Sequence, residues 1–401
     1  MSRPIGAALL VLALGGGVRA VGADAIDDFV ARHWKQPLAP QGSAPARATA
    51  LEASLHPEAC GACHPQQYAD WRTSPHAASM GPGVAGQLVE LLASEPGSAL
   101  GCQNCHAPLA EQRPLDWDGA RATPNAIYDG RLRQRGLVCA GCHVRDHERF
   151  GPPKRDGSLA SAAPRETLPH NGVTRTPAFL KSEFCASCHQ FAPDGFRVNG
   201  KLLENTYAEW RASRFAREGV HCQDCHMPDR RHLWRGIHDP EMVRSGLTIE
   251  ATMDGSRDAP GGTGTATLRV TNTGVGHAFP TYIPPRVVLR GELIGADGRA
   301  LAGSRQEYQI ARDAELDLAT ENFDTRLMPG ESAALVYRTV VVAPGVRLRL
   351  SVVVYPDWFY ARFFQALLQQ GAGRGAELVR EALEAARRSP YVLFERDFPL
   401  T

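Results

Sequence analysis

Residues 221–238 read HCQDCHMPDRRHLWRGIH. Within them Cys222, Cys225 and His226 form a Cys-x-x-Cys-His signature, and His221, His232 and His238 stand around it. The signature has a chemical meaning: two thiols add across the vinyl groups of a haem, and the adjacent histidine ligates its iron from one face. The extra histidines are of the type that would ligate irons from the opposite face.

Working outward, four earlier copies appear: CGACH at Cys60, Cys63 and His64; CQNCH at Cys102, Cys105 and His106; CAGCH at Cys139, Cys142 and His143; and CASCH at Cys185, Cys188 and His189. Five motifs of two cysteines each use all ten cysteines of the chain, so no disulfide is expected. A zinc site would not demand a histidine after every second cysteine, and a thioredoxin-like reading needs one motif only. The cofactor expected is therefore five covalently bound c-type haems, with His64, His106, His143, His189 and His226 as the proximal iron ligands. The motif starts are spaced by 42, 37, 46 and 37 residues (102−60, 139−102, 185−139, 222−185), too unequal for a tandem array. One local echo stands out: Tyr68-Ala-Asp-Trp-Arg-Thr-Ser recurs as Tyr207-Ala-Glu-Trp-Arg-Ala-Ser. Each copy reads as a short helix whose Tyr and Trp, three apart, share a face.

The formal net charge is +1, which points to neither nucleic acid nor anionic lipid as a partner. Arg3, the apolar run from Ile5 to Leu14 and the small residues around Val21 to Ala25 read as an export signal over residues 1–25. The run is too short for a comfortable membrane span, the alternative being an uncleaved signal anchor. No cysteine precedes Cys60, which argues against an N-terminal lipid. Residues 26–58, rich in Ala and Pro, read as an extended segment with a short helix at Ile26 to Trp34.

Residues 59–244 form the expected haem domain. Helices are expected at Ala85 to Ser94 and Tyr207 to Glu218 among Pro- and Gly-punctuated loops. Such a chain buries too little apolar side chain to offset its ordering entropy unaided, so haem is expected to complete the core. From about Ser245 cysteine vanishes and alternation of period two appears. Val346-Arg-Leu-Arg-Leu-Ser-Val is the clearest strand, joined by Leu247 to Met253, Thr265 to Asn272, Arg286 to Ile294, Gln306 to Ala311 and Ala333 to Val342. An antiparallel, immunoglobulin-like sandwich over 245–356 is expected, followed over 357–401 by helices at Trp358 to Gln370 and Glu377 to Arg388 and a tail. The fold class is α+β.

Nine histidines lie outside the motifs. His76, His232 and His238 are expected as ligands of the opposite, distal faces. His170 and His147 are further distal candidates, and His56, shortly before Cys60, is a weaker one. His33 is expected to be solvated, and His221, directly before Cys222, to be structural. His277, in Gly274-Val-Gly-His-Ala-Phe-Pro, reads either as a turn histidine or as a ligand that two glycines let approach a flat partner. Met80, Met242 and Met253 are the methionines free to serve one iron instead.

The order Cys-x-x-Cys-His, Tyr-x-x-Trp-x-x-Ser-x-His, then Cys-Gln-x-Cys-His-Met-Pro resembles the cytochrome c-554 group of multihaem cytochromes. That group is allied more distantly to hydroxylamine oxidoreductase and pentahaem nitrite reductase. Asn272 to Thr281 resembles a segment of multihaem cytochromes that carry a β domain after their haems. The resemblance covers roughly residues 56–285 and implies that His76 and His277 are iron ligands. All five motifs end in His, so the CxxCK site typical of pentahaem nitrite reductase is absent. Nor is there ground for a cross-linking tyrosine of the hydroxylamine oxidoreductase kind.

These readings lead to a periplasmic or otherwise extracytoplasmic electron carrier with mostly bis-histidine haems, rather than a catalytic oxidoreductase, and no catalytic residue is assigned. Its expected partners are redox proteins, with no nucleic acid and no transmembrane span in the mature chain, within reach of a membrane-associated redox complex. Two other readings stand beside it. One is an oxidoreductase acting on a small nitrogen or sulfur compound at one five-coordinate haem; the other is a cytochrome docked through its β domain in a larger complex or filament.

Overall fold

The computed structural model describes residues 23–255, 263–340 and 345–400. Residues 1–22, which carry nearly all of the expected export signal, lie outside the described residues. Among the described residues no helix is long and apolar enough to cross a membrane.

The N-terminal half is built from short helices. Helix α1 (Ala23–His33) leads into a segment that lies across the motifs, burying Trp34, Leu38 and Gln41. Helices α2 (Pro65–Trp71), α3 (Pro82–Ser94) and α4 (Pro96–His106) each begin with proline, which lacks the N–H a first helical residue would leave unpaired. They are followed by α5 (Glu183–His189) and α6 (Thr206–Ala212). The helix expected to run to Glu218 breaks at Ser213, a buried, extended residue at φ −81°, ψ 168°, and resumes only as Arg214–Arg217.

The C-terminal half is built on two larger antiparallel sheets, with Arg312–Ala314 and Glu321–Asp324 pairing as a small third. The strands of the larger two are β1 (Leu247–Gly255), β2 (Thr263–Asn272), β3 (Arg286–Ile294), β4 (Gln306–Ile310), β5 (Ser332–Val340), β6 (Arg347–Tyr355) and β7 (Tyr391–Pro399). One sheet runs β4-β3-β6-β7 and the other β5-β2-β1. Alternation decides which residues face inward: Leu348, Leu350, Val352 and Val354 of β6 share one apolar core with Val287 and Leu289 of β3, Leu268 and Val270 of β2, and Leu335 of β5. Between β6 and β7 lie α7 (Trp358–Gln370) and α8 (Ala376–Arg388).

Strand β7 falls where only a tail was expected. Its outward residues are charged, but Asp397 accepts from Arg347 at 2.6 Å and from Arg349 at 2.8 Å on β6, so the charges are paired across the strands. The fold is thus α+β, with the chain's end returning to the sheet.

Two arginines, one buried and one largely so, join the halves. Arg312, 1% exposed, pairs with Glu321 at 2.8 Å and donates to the carbonyls of Val198, Lys201 and Leu202. Arg326 pairs with Glu209 of α6 at 3.0 Å. Helix α3 packs on α8 so closely that a Cβ at Gly86 would come within 2.9 Å of Val379.

Candidate haem sites

Each motif occupies a turn of helix. Residues three apart on such a turn lie on one side, so both thiols of a motif point the same way and the histidine follows at the turn's end. The turns belong to Cys60–His64 after the helix Pro57–Gly61, to the end of α4, to the helix Cys139–His143, to the end of α5 and to the helix Cys222–His226. No two of the ten cysteines are joined in a disulfide.

Four of the five motif histidines face a second histidine across a gap. The ring centroids are 6.4 Å apart for His64 and His170, 6.4 Å for His189 and His76, 6.2 Å for His143 and His232, and 6.4 Å for His226 and His277. A metal midway, at a metal–imidazole bond of about 2.0 Å plus about 1.1 Å from nitrogen to ring centre, needs about 6.2 Å. The gap therefore has the width of one metal with two coaxial imidazoles.

The second nitrogen is anchored in four of these eight rings. Nδ1 of His143 meets the carbonyl of Phe150 at 2.8 Å, that of His226 Arg235 at 2.7 Å, that of His232 Arg230 at 3.0 Å and that of His277 Ala278 at 2.8 Å. His106 does the same with Ser79 at 2.7 Å. A carbonyl can only accept, so Nδ1 carries the proton and Nε2 is left with its lone pair for a metal. Burial lowers His76 to about 3 and His143, His189 and His277 to about 4, which keeps the rings neutral, as ligation requires. Buried guanidinium nitrogens of Arg113, Arg133 and Arg145 lack a partner within the protein, and they suit the propionates of a haem. The residues thus fit the cofactor.

Five further histidines, two of them distal candidates by sequence, have other surroundings. The side chain of His238 is 56% exposed and pairs with Asp357 at 3.0 Å; His147 is half-buried, with Nε2 3.2 Å from the Gly42 carbonyl and Nδ1 buried without a partner. His56 pairs with Asp129 at 2.8 Å. His33, expected in solvent, is 4% exposed among Phe29, Phe150, Phe179 and Phe184, with Nε2 at 2.8 Å from the Cys142 carbonyl. His221 caps its own helix beside Lys181 and Ser182. All fourteen histidines are then accounted for, and His106 faces none.

The three candidate methionines have other surroundings. Met80 is packed with Leu88, Ala99 and Ala107, next to the Ser79 carbonyl that holds His106 from behind. Met242 lines a cavity with Cys225 and His226, and Met253 packs against the sandwich core.

The thiols also show which motifs are neighbours. Cys60 and Cys139 lie within hydrogen-bonding reach of each other, as do Cys105 and Cys188, and Cys185 and Cys222. Were these sulfurs thioethers, each contact would join the attachment points of two haems. An exposed cysteine occurs in the first, second and fifth motifs (Cys63, Cys102, Cys225) and in neither of the other two.

Comparison with known proteins follows the same line. The family model "Cytochrome c554 and c-prime" matches residues 59–120. A cytochrome c-552 of Aliarcobacter butzleri (strain RM4018) is 31% identical over 140 residues, which is 32% of this chain and 27% of that relative, so the chain spans about a quarter of its length. The crystal structure of a penta-heme cytochrome c552 from Thermochromatium tepidum is similar with a TM-score of 0.55 at 20% identity, over 85% of this chain and 97% of that one. The chain is a multihaem c-type cytochrome, with haem bound covalently.

Proposed function

We propose that this cytochrome carries electrons outside the cytoplasm on five covalently attached haems, four of them ligated by two histidines: His64 with His170, His189 with His76, His143 with His232, and His226 with His277. The observation that carries this reading is the set of four histidine pairs at one metal-sized separation. Haem supplies the iron that changes oxidation state; the chain supplies ligands, spacing and exclusion of water. Two histidines keep an iron at lower potential than a methionine and a histidine would. The cysteine contacts support an order in which the first motif adjoins the third, and the fourth adjoins both the second and the fifth.

A second reading draws on His106. With no partner opposite it, its haem is the one at which a small nitrogen or sulfur compound would bind. The strand orders β1-β2-β5 and β4-β3-β6-β7 support an immunoglobulin-like sandwich, and its ligand His277 ties that sandwich to the haem region. Redox partner proteins are the expected donors and acceptors.

The test is haem content by pyridine haemochrome together with ferric electron paramagnetic resonance. Five haems per chain, four low-spin and one high-spin that binds carbon monoxide when reduced, is the expected outcome. Fewer than four low-spin haems would remove the pairing, and a fully low-spin protein would remove the second reading.

A further inference from the structure

The repeated heptapeptide performs the same task twice. In α2 the indole N–H of Trp71 donates to the carbonyl of Leu137 at 2.8 Å, two residues before Cys139. In α6 the indole N–H of Trp210 donates to the carbonyl of Val220 at 2.8 Å, two residues before Cys222. The acids correspond as well. Asp70 accepts the backbone N–H of His232 at 3.0 Å, and Glu209 accepts that of Ala278, the residue after His277, at 3.1 Å.

Each acid is also held by an arginine: Asp70 by both ends of Arg231 at 2.7 Å, Glu209 by Arg326 at 3.0 Å. Both dipeptides are buried to the same degree, Asp70 4% and Trp71 5% exposed against Glu209 6% and Trp210 7%. His232 faces His143 of the motif that Trp71 holds, and His277 faces His226 of the motif that Trp210 holds. One short helix thus grips both sides of one histidine pair, and a second does so elsewhere. Gly276 belongs to the second grip, since a Cβ there would stand 3.3 Å from the Trp210 ring. The dipeptide alone does not suffice: in Asp357-Trp358 the acid takes an exposed histidine and the indole N–H has no partner.

We propose that Asp70-Trp71 and Glu209-Trp210 are a duplicated latch that fixes the separation of His143 from His232 and of His226 from His277, keeping the iron between each pair six-coordinate. The latch rests on the reading that these are ligand pairs. Asp70 and Glu209 are positioning residues. Their carboxylates pin a backbone N–H by a charge-assisted bond, and the distal ring follows the peptide it is attached to. The tryptophan pins the other side by fixing the chain that leads into the motif.

The experiment uses the full, haem-loaded chain and reads spin state by ferric electron paramagnetic resonance. His232→Ala is expected to turn one haem high-spin. Asp70→Ala is expected to convert that same haem, so that adding it to His232→Ala changes nothing further, whereas Asp70→Asn, which can still accept the N–H, keeps it low-spin. Glu209→Ala and Glu209→Gln should behave in the same way against His277→Ala. A low-spin Asp70→Ala protein, or a second haem converted when Asp70→Ala is added to His232→Ala, overturns the latch while leaving the pairing intact. No change in His232→Ala itself removes the pairing and the latch together. Should Asp70→Ala not accumulate, Trp71→Phe deletes only the N–H and part of the ring: a shifted signal from the His232 haem supports the latch, and an unaltered one overturns it.

Discussion

The two halves of the molecule solve the problem of a core in opposite ways. In the sandwich, Leu268, Leu289, Leu348, Leu350 and Val352 are fully buried in one cluster, and apolar side chains dominate the space between the sheets. In the haem region the apolar clusters are small, around Trp34, Trp71, Leu109 and Leu132 and around Met80 and Leu88. Much of what is buried there is polar, including Asp70, Gln103, Gln112, Ser182, Glu209 and Gln223. Polar groups are buried at a cost unless something satisfies them. The comparison predicts that one half folds on its own side chains and the other around its cofactor.

The sharpest way to break that comparison is to withhold haem. A chain with the ten motif cysteines replaced by alanine is expected to lose protease resistance over the region before Pro240 while a fragment spanning β1 to β7 survives. Limited proteolysis with mass spectrometry of the fragments checks it. A resistant N-terminal half would show that its side chains suffice.

The next effect lies at the joint between the halves. Glu321→Gln leaves Arg312 buried without its counter-charge, and breaking such a pair costs about 3–5 kcal/mol. Burial would raise the Glu321 carboxyl, but Lys201, Arg312 and Asn199 together hold it below its ordinary value. A carboxylate of lowered pKa contributes stability above its unfolded value of about 4.3 and loses it as pH falls further. The joint should therefore loosen in wild type below about pH 4, and the variant should lack that part of the acid transition in denaturant melts. Within the sandwich itself, Leu350→Ala should cost about 2–5 kcal/mol, with no change in the haem spectrum.

Legibility in the sequence follows the same division. The motifs are contiguous because thioether attachment and ligation happen within one helical turn, so all five could be read directly. The strands were legible from alternation where one face is buried, as from Arg347 to Leu350 of β6, and from continuous apolar runs where both are, as from Val287 to Leu289 of β3. Strand β7 was not, because Glu395 and Asp397 look like tail residues until Arg347 and Arg349 stand beside them. Distal histidines are fixed by distant contacts: His64 lies 106 residues before His170 (170−64), and nothing local separates His170 from His147. His33 looked solvated because the phenylalanines that enclose it come from residues 150, 179 and 184. The echo at Tyr68 and Tyr207 was visible, but its use became visible only with Leu137 and Val220 in place.

The smallest effect expected is also the most direct check on which histidines matter. His238 and His277 both follow the last motif, and both were reasonable ligands by sequence. His277 is buried opposite His226, whereas the side chain of His238 is 56% exposed and meets only Asp357 in an ion pair. An exposed pair of this kind contributes under about 1 kcal/mol, since water screens it and both side chains lose freedom to form it. His238→Ala should therefore leave stability, haem content and the low-spin spectrum unaltered, while His277→Ala turns one haem high-spin. Equal behaviour of the two variants would mean that the sandwich is not tied to the haem region through iron, and that protein contacts such as those of Arg312, Arg326 and the α3–α8 packing hold the halves together.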